Sequence, residues 1–360
     1  MEMIKVDGSM YEGGGQILRM SIALSAVLGK PVTVYNIRAK RSNPGLRRQH
    51  ITAIESVKKL VNARTTGLSI GSMRVEFIPG EIRGRELRLD IGTAGSTMLV
   101  LQSLMPAAAF ADGETKIWIR GGTDNPMAPP VDYIANILIP FLHKMGYETS
   151  LKLVKRGFYP AGGGIVEALL KPVKFLKPIN STEFGKIEKV TVFAYSCLLP
   201  RHIVERMCRT AYQMLREHGL ENIEVRKEIL YRASPKCSVS PGCGIMITVK
   251  TNKTILASNS LGARGKPAER VAEEAVKDIL HEINMESGVD KHMADQLIVY
   301  MMLAKGESKI YTGSMTMHTY TCIKLAEMFV GEHIFSIDGE VNAPATITCR
   351  GIGLENKYLS

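Results

Sequence analysis

The chain has 360 residues, 45% apolar and 22% charged, which suits a globular protein with a sizeable core built as one large domain or two ordinary ones. No apolar run reaches the length of a membrane span, since the best, around Leu99 to Ala111, is broken by Gln102 and Pro106. A net charge of +11 and a pI near 9.3 fit a polyanionic partner and a merely basic surface equally well, while 6% aromatic content argues against a broad base-stacking platform.

The start of the chain reads as a short strand pattern without the apolar stretch of a signal peptide. Glu12-Gly13-Gly14-Gly15 then leads a helix from Gln16 to about Leu28. Pro31 to Ile37 is rich in β-branched residues and reads as a strand, Pro44 to Val61 as a second helix, with strands near 67–77 and 86–90. A second copy of this unit opens at Gly92-Thr93-Ala94-Gly95-Ser96. It runs through a helix to about Phe110, a strand at 116–120, a turn at 121–126, a helix at 129–145, and strands near 147–154 and 165–170. A third copy spans a helix at 290–303, a strand at 308–311 and a helix at 318–330. The Gly-led openings lie about 80 residues apart, and the third copy comes too late for that spacing. Residues 186–285, with strands at 190–195, 224–230 and 245–251 and helices at 204–218 and 267–283, read as an inserted α/β domain, in which only Pro200-Arg201-His202 stands out. The expected organisation is thus α/β (α+β): repeats over 1–185 and 286–360 forming one large domain, with 186–285 inserted.

Gly13 to Gly15 ahead of a helix let backbone N–H groups approach an anion, and Gln16 and Arg19 share the adjoining face. From Arg38 to Arg48 five cations (Arg38, Lys40, Arg41, Arg47, Arg48) occur in eleven residues without one acid, a pattern suited to phosphate. No G-x-x-x-x-G-K-[ST] phosphate loop occurs. His318 lies where a strand hands over to a helix, a place that fits a core residue, a cap or a nucleophile. His292, Asp295 and Gln296 stand at helical spacing for one shared ligand or for an ordinary polar first turn. The six cysteines (Cys197, Cys208, Cys237, Cys243, Cys322 and Cys349) form no C-x-x-C pair and read as reduced thiols of a cytoplasmic protein.

Taken in order, EGGGQILR (12–19), IRAKRSNPGLRRQH (37–50), GTAGSTMLVLQ (92–102), GGTDNPMAPP (121–130), RGFYPAGGG (156–164), HMADQL (292–297) and the region of His318 resemble the RNA 3′-terminal phosphate cyclases. The resemblance implies three repeats of a two-helix, four-stranded unit with a smaller inserted domain. It implies an ATP-dependent closure of an RNA 3′-phosphate into a 2′,3′-cyclic phosphate, with His318 as the nucleophile that takes AMP. Gln102, His292, Met293, Ala294, Asp295 and Gln296 would hold the adenosine. Gln16, Arg19, Arg38, Arg41, Gln49 and His50 would line the phosphate and RNA-end pocket, and Glu12 would contact a Mg²⁺ or Mn²⁺ ion. The sequence departs from some members at His292, where relatives carry tyrosine, and at Cys322, where an asparagine is expected. The alternative within the same fold is a non-catalytic RNA-binding assembly factor, which should have lost the nucleophile.

Overall fold

The computed structural model describes residues 2–359. The first repeat comprises β1 (Ile4–Asp7), α1 (Gly15–Leu28), β2 (Val32–Tyr35), α2 (Arg48–Leu60), β3 (Arg64–Thr66) and β4 (Val75–Ile78). The second comprises β5 (Glu86–Asp90), α3 (Thr97–Ala108), β6 (Thr115–Gly121), α4 (Val131–Tyr133), a π-helical stretch Ile134–Leu138 leading into α5 (Ile139–Lys144), β7 (Thr149–Lys155) and β8 (Gly164–Leu170). The third begins with the two-residue strand β9 (Asn180–Ser181). A separate unit follows: β10 (Ile187–Cys197), α6 (Arg201–Glu217), β11 (Ile223–Leu230), β12 (Gly242–Thr251), β13 (Ile255–Leu261) and α7 (Ala268–Asn284). The third repeat then resumes with α8 (Lys291–Leu303), β14 (Glu307–Thr312), α9 (Met317–Val330), β15 (Phe335–Gly339) and β16 (Ala345–Arg350).

The three repeats share one topology. Their sheets run β1-β2-β4-β3, β5-β6-β8-β7 and β9-β14-β16-β15. In each, the first pair is parallel and the other two are antiparallel. A parallel pair needs a crossover, and α1, α3 and α8 supply it. The inserted unit therefore enters between the first strand and the first helix of the third repeat. Its own sheet runs β11-β10-β12-β13, with α6 and α7 packed together over it.

Alternation along β5 and β6 buries every second side chain under the helices, the period-2 pattern of a one-faced sheet. Val6, Ile17, Phe77, Leu104, Phe141, Leu297 and Phe329 belong to one continuous core running through all three repeats. The inserted unit has a second core around Val192, Ala211, Ile247 and Ala275. Wholly buried Arg156 fastens the two together. Its Nη1 donates to Asp124 at 3.3 Å and to Asp132 at 2.9 Å, and its Nε donates to Glu228 of β11 at 2.6 Å. The guanidinium carbon lies 3.9 Å from the centre of the Tyr195 ring.

The structure departs from the sequence expectation in its local details. Helix α2 starts at Arg48, not Pro44, because Ile37 to Arg47 form a loop with left-handed turns at Arg38 and Gly45. Residues 67–74 are a loop between β3 and β4, where a single strand over 67–77 was expected. Strands β13, β15 and β16 were not anticipated. Among the described residues no helix is long and apolar enough to cross a membrane.

Candidate active site

Five helices, α1, α2, α3, α8 and α9, turn their first residues toward one cleft of about 1230 Å³. Each N-terminus carries free N–H groups and a partial positive charge, so their convergence makes the cleft attractive to anions. The caps differ. Ser96, Asp290 and Thr316 cap α3, α8 and α9 with side-chain oxygens. Helix α1 follows Gly14 with no side-chain cap, leaving its opening amides for another acceptor.

The cationic loop closes one side of this mouth. Arg19, Arg38, Arg41, Arg47 and Arg48 line the cleft, and none forms an ion pair with a carboxylate among the described residues. Arg38 is partly committed to its own loop, donating through Nη1 to the carbonyls of Asn43 and Gly45, both at 2.8 Å. Burial lowers the Arg19 guanidinium to about 10, against the pull of Asp295, and it remains a cation at neutral pH. Burial, followed by Arg19, Arg38 and Arg47, pushes His50 down to about 3. His50 Nδ1 accepts from the backbone N–H of Arg47 at 3.1 Å, so the proton of this neutral ring sits on Nε2, beside Gly15. The result is an uncharged donor set among mutually repelling cations, an arrangement that an anion relieves. A Cβ on Gly15 would stand 2.5 Å from His50 Nε2 and 2.9 Å from Arg19 Nη1, so only glycine lets these two groups approach the backbone.

His318 occupies the first turn of α9, its side chain 44% exposed and so open to a ligand. Its Nδ1 meets Gln16 Oε1, and its Nε2 lies 3.0 Å from Glu12 Oε2. The Gln16 amide is fixed from behind, its Nε2 donating to Cys322 Sγ at 3.0 Å and to the His318 carbonyl at 3.4 Å. That leaves Oε1 for the ring. Gln16 Oε1 therefore holds a proton on Nδ1, and Nε2 points its N–H at the Glu12 carboxylate, so its lone pair becomes available only when that contact opens and the proton leaves. Cys322, unexpected at its position, supplies this anchoring contact as a buried thiol that burial keeps protonated.

Across the cleft, Gln102 Nε2 donates to Gln296 Oε1 at 2.7 Å, joining α3 to α8. Gln296 Nε2 in turn donates to the His292 carbonyl at 3.0 Å. Burial and the neighbouring Asp290 push the Asp295 carboxyl up to about 7, so it is only partly charged near neutrality. His292, Asp295 and Gln296 line the cleft, whereas Met293 and Ala294, expected in the same set, are fully buried in the core. Helical periodicity turns 292, 295 and 296 one way and 293 and 294 the other. On the wall beside them, Gln49 Oε1 accepts from the Ser96 backbone at 3.1 Å.

Glu12 is one carboxylate, and among the described residues no group of three or more His, Cys, Asp or Glu side chains gathers to hold a metal. The residues present do not build a resident ion site there. Several cleft residues carried no chemical signal in the sequence reading. Thr93, Asn125 and Met127 come from the second repeat, and Asn259 to Ala263, Lys266 and Glu274 from the inserted unit. The Gly-rich basic turn Leu261-Gly262-Ala263-Arg264-Gly265-Lys266 was the available cue. Pro200-Arg201-His202, the one feature of the inserted unit that stands out in the sequence, starts α6 outside the cleft, and Arg201 pairs with Glu205.

Comparison with known proteins places these features in a wider set. The sequence model of the family described as "RNA 3'-terminal phosphate cyclase" matches residues 10–335. Proteins of that name are similar across their full length. The one from Ignicoccus hospitalis is 43% identical over 350 residues, covering 97% of this chain and 99% of its own. Those from Desulfurococcus amylolyticus and Pyrococcus furiosus are 42% and 44% identical, covering 98% and 94% of this chain and 99% and 96% of theirs.

Proposed function

The chain belongs to the RNA 3′-terminal phosphate cyclase family, and from that premise we propose that it uses ATP to convert an RNA 3′-phosphate into a 2′,3′-cyclic phosphodiester through a histidine–AMP intermediate. The observation that carries this reading is the two-sided hold on His318, with Gln16 at Nδ1 and Glu12 3.0 Å from Nε2, at the mouth of a cleft rimmed by unpaired arginines.

A phosphate monoester is a poor electrophile, because its leaving oxygen would be oxide or hydroxide. Joining it to AMP supplies a good leaving group. In the first step Nε2 of His318 forms a bond to the α-phosphorus of ATP, the bond from that phosphorus to the bridging oxygen breaks, and pyrophosphate departs. Glu12 has to withdraw from Nε2 for this attack, carrying off the proton shared at that contact so that the lone pair is free. A Mg²⁺ or Mn²⁺ ion in this region would arrive as part of that substrate. Arg19, Arg41 and the uncapped start of α1 would offset charge on the phosphoryl oxygens. Gln102, Asp295 and Gln296 would receive the nucleoside.

In the second step an oxygen of the RNA 3′-phosphate attacks the same phosphorus and the N–P bond breaks, which frees His318. In the third, the adjacent 2′-oxygen bonds to the 3′-phosphorus, the bond from that phosphorus to AMP breaks, and the hydroxyl proton passes to water as AMP departs. That closure is intramolecular, where effective molarities reach roughly 10⁵–10⁸ M, so orientation is most of what the protein must supply. A cytoplasmic setting accords with six cysteines that are all unpaired and buried.

The test is a labelling experiment on the purified protein. ATP carrying its label on the α-phosphate should leave that label on the chain, and ATP labelled on the γ-phosphate should not. His318→Ala should abolish labelling with its circular dichroism spectrum unchanged. Undiminished labelling of the alanine variant would assign the nucleophile to another residue.

A further inference from the structure

Beside the arginine-lined mouth the structure exposes a lip of apolar side chains that the reaction above does not use. Met127, Tyr159 and Val239 are 88%, 74% and 60% exposed. They come from three separate segments, the loop after the 121–126 turn, the turn at 157–163, and the inserted unit.

The Tyr159 turn is held on every side. Gly162 N donates to the Phe158 carbonyl at 2.8 Å, which closes it. Phe158 N and Ala161 N donate to Ser238 Oγ and Ser240 Oγ, both at 3.1 Å, which laces the turn to the inserted unit with Val239 between the two serines. Phe158 is buried and stacks on Tyr195 with ring centres 6.3 Å apart. The turn also abuts the cleft wall. A Cβ on Gly162 would lie 2.7 Å from Ala94 Cα and 3.0 Å from the carbonyl of Thr93, which lines the cleft together with Met127. Asn125 Nδ2 donates to the Ala94 carbonyl at 2.5 Å. A tyrosine ring left in water on so constrained a turn loses little freedom when a flat partner covers it.

We propose that Tyr159, the exposed ring of this lip, is a stacking site for a nucleobase of the RNA upstream of its terminal phosphate. The inference rests on the cyclase reading. The occupant follows from continuity: the lip adjoins the wall of the mouth that would take the terminal phosphate, so a chain emerging from the mouth carries its next bases past it. Stacking suits every base, and so the site grips RNA without selecting sequence. One such lip also agrees with the chain's low aromatic content.

The experiment measures cyclisation kinetics of an RNA oligonucleotide 3′-phosphate, and of the same oligonucleotide made abasic upstream of the terminal nucleotide. Tyr159→Ala should raise KM for the intact RNA by about 5- to 150-fold, the range of one lost stacking contact. It should leave kcat and the rate of self-adenylylation unchanged, and Tyr159→Phe should retain the parental KM. On the abasic RNA the parent and Tyr159→Ala should coincide. An unchanged KM for intact RNA, or an equal penalty on the abasic RNA, overturns the stacking site. So does a Tyr159→Ala effect confined to the sedimentation coefficient, since the lip would then join two copies of the chain. A parent protein that cyclises neither RNA fails the underlying cyclase reading instead, a result distinct from all of these.

Discussion

Arg156 and the arginines of residues 38–48 place the same guanidinium in opposite surroundings. Arg156 is wholly buried against Asp124, Asp132 and Glu228, with Lys236 also bound to Glu228. Burial pushes the Asp132 carboxyl up and Arg156 opposes it, while Glu228, also penalised by burial, is held below the usual range by Arg156 and Lys236. Arg38, Arg41, Arg47 and Arg48 line a cleft with no carboxylate bonded to them, and burial together with Arg47 and Arg41 weakens the hold of Arg38 on its proton. The first group has its acids in place and holds the second repeat to the inserted unit. The second has no carboxylate paired with it among the described residues. Charge count alone does not separate structural from functional arginines; the presence or absence of acids within reach does.

Three substitutions put this contrast at risk, the largest effect first. Arg156→Met should cost about 3–5 kcal/mol, because it leaves buried carboxylates without their cation. Urea denaturation measures it, and a loss under 1 kcal/mol would mean that water or protons compensate the acids. Next comes pH. His50 is held near 3 against a usual value near 6.5, so between those values the unfolded chain binds a proton that the folded chain refuses. Its contribution to stability is complete above about pH 6.5 and declines as the pH falls toward 3, by at most about 1.4 kcal/mol per pH unit. Thermal melts of His50→Gln across that window should show a shallower acid limb than the parent, and parallel limbs would mean that the fold does not hold His50 below its usual value. The smallest effect belongs to Arg41→Ala. Its stability should stay within about 0.5 kcal/mol of the parent. RNA-end processing should fall about tenfold, with self-adenylylation less affected; equal losses in the two reactions would deny Arg41 a special part at the RNA end.

Much of the fold could be read in the sequence where local signals are strong. The glycines before α1 and the periodicity of α1, α3, α8 and α9 mark those helices to within a few residues. Failures fall where tertiary contacts decide. The loop from Ile37 to Arg47 holds its shape by turns at Arg38 and Gly45, which delays α2 by about a turn, and propensity does not reveal it. Strand β9 has only two residues and exists because β14 pairs with it. Strand β16 alternates buried and part-buried residues across Ala345 to Cys349, a period-2 pattern that is visible in its sequence. In the cleft, residue types at helical spacing pointed to His292, Asp295 and Gln296, and the same spacing should have set Met293 and Ala294 apart. The contribution of Asn259 to Ala263 could not be foreseen, since it arises from docking the inserted unit against the repeats.

The place where that unit enters has a kinetic consequence. Asn180 must find Lys309, and everything from β10 to α7 lies on the chain between them. Closing a loop of that length while it is still unstructured is entropically slow, and it becomes easier once the intervening segment has collapsed around its own core. The third repeat should therefore assemble last during synthesis, after its passenger has folded, and the helices bearing His318 and Gln296 would lock into place only at that stage.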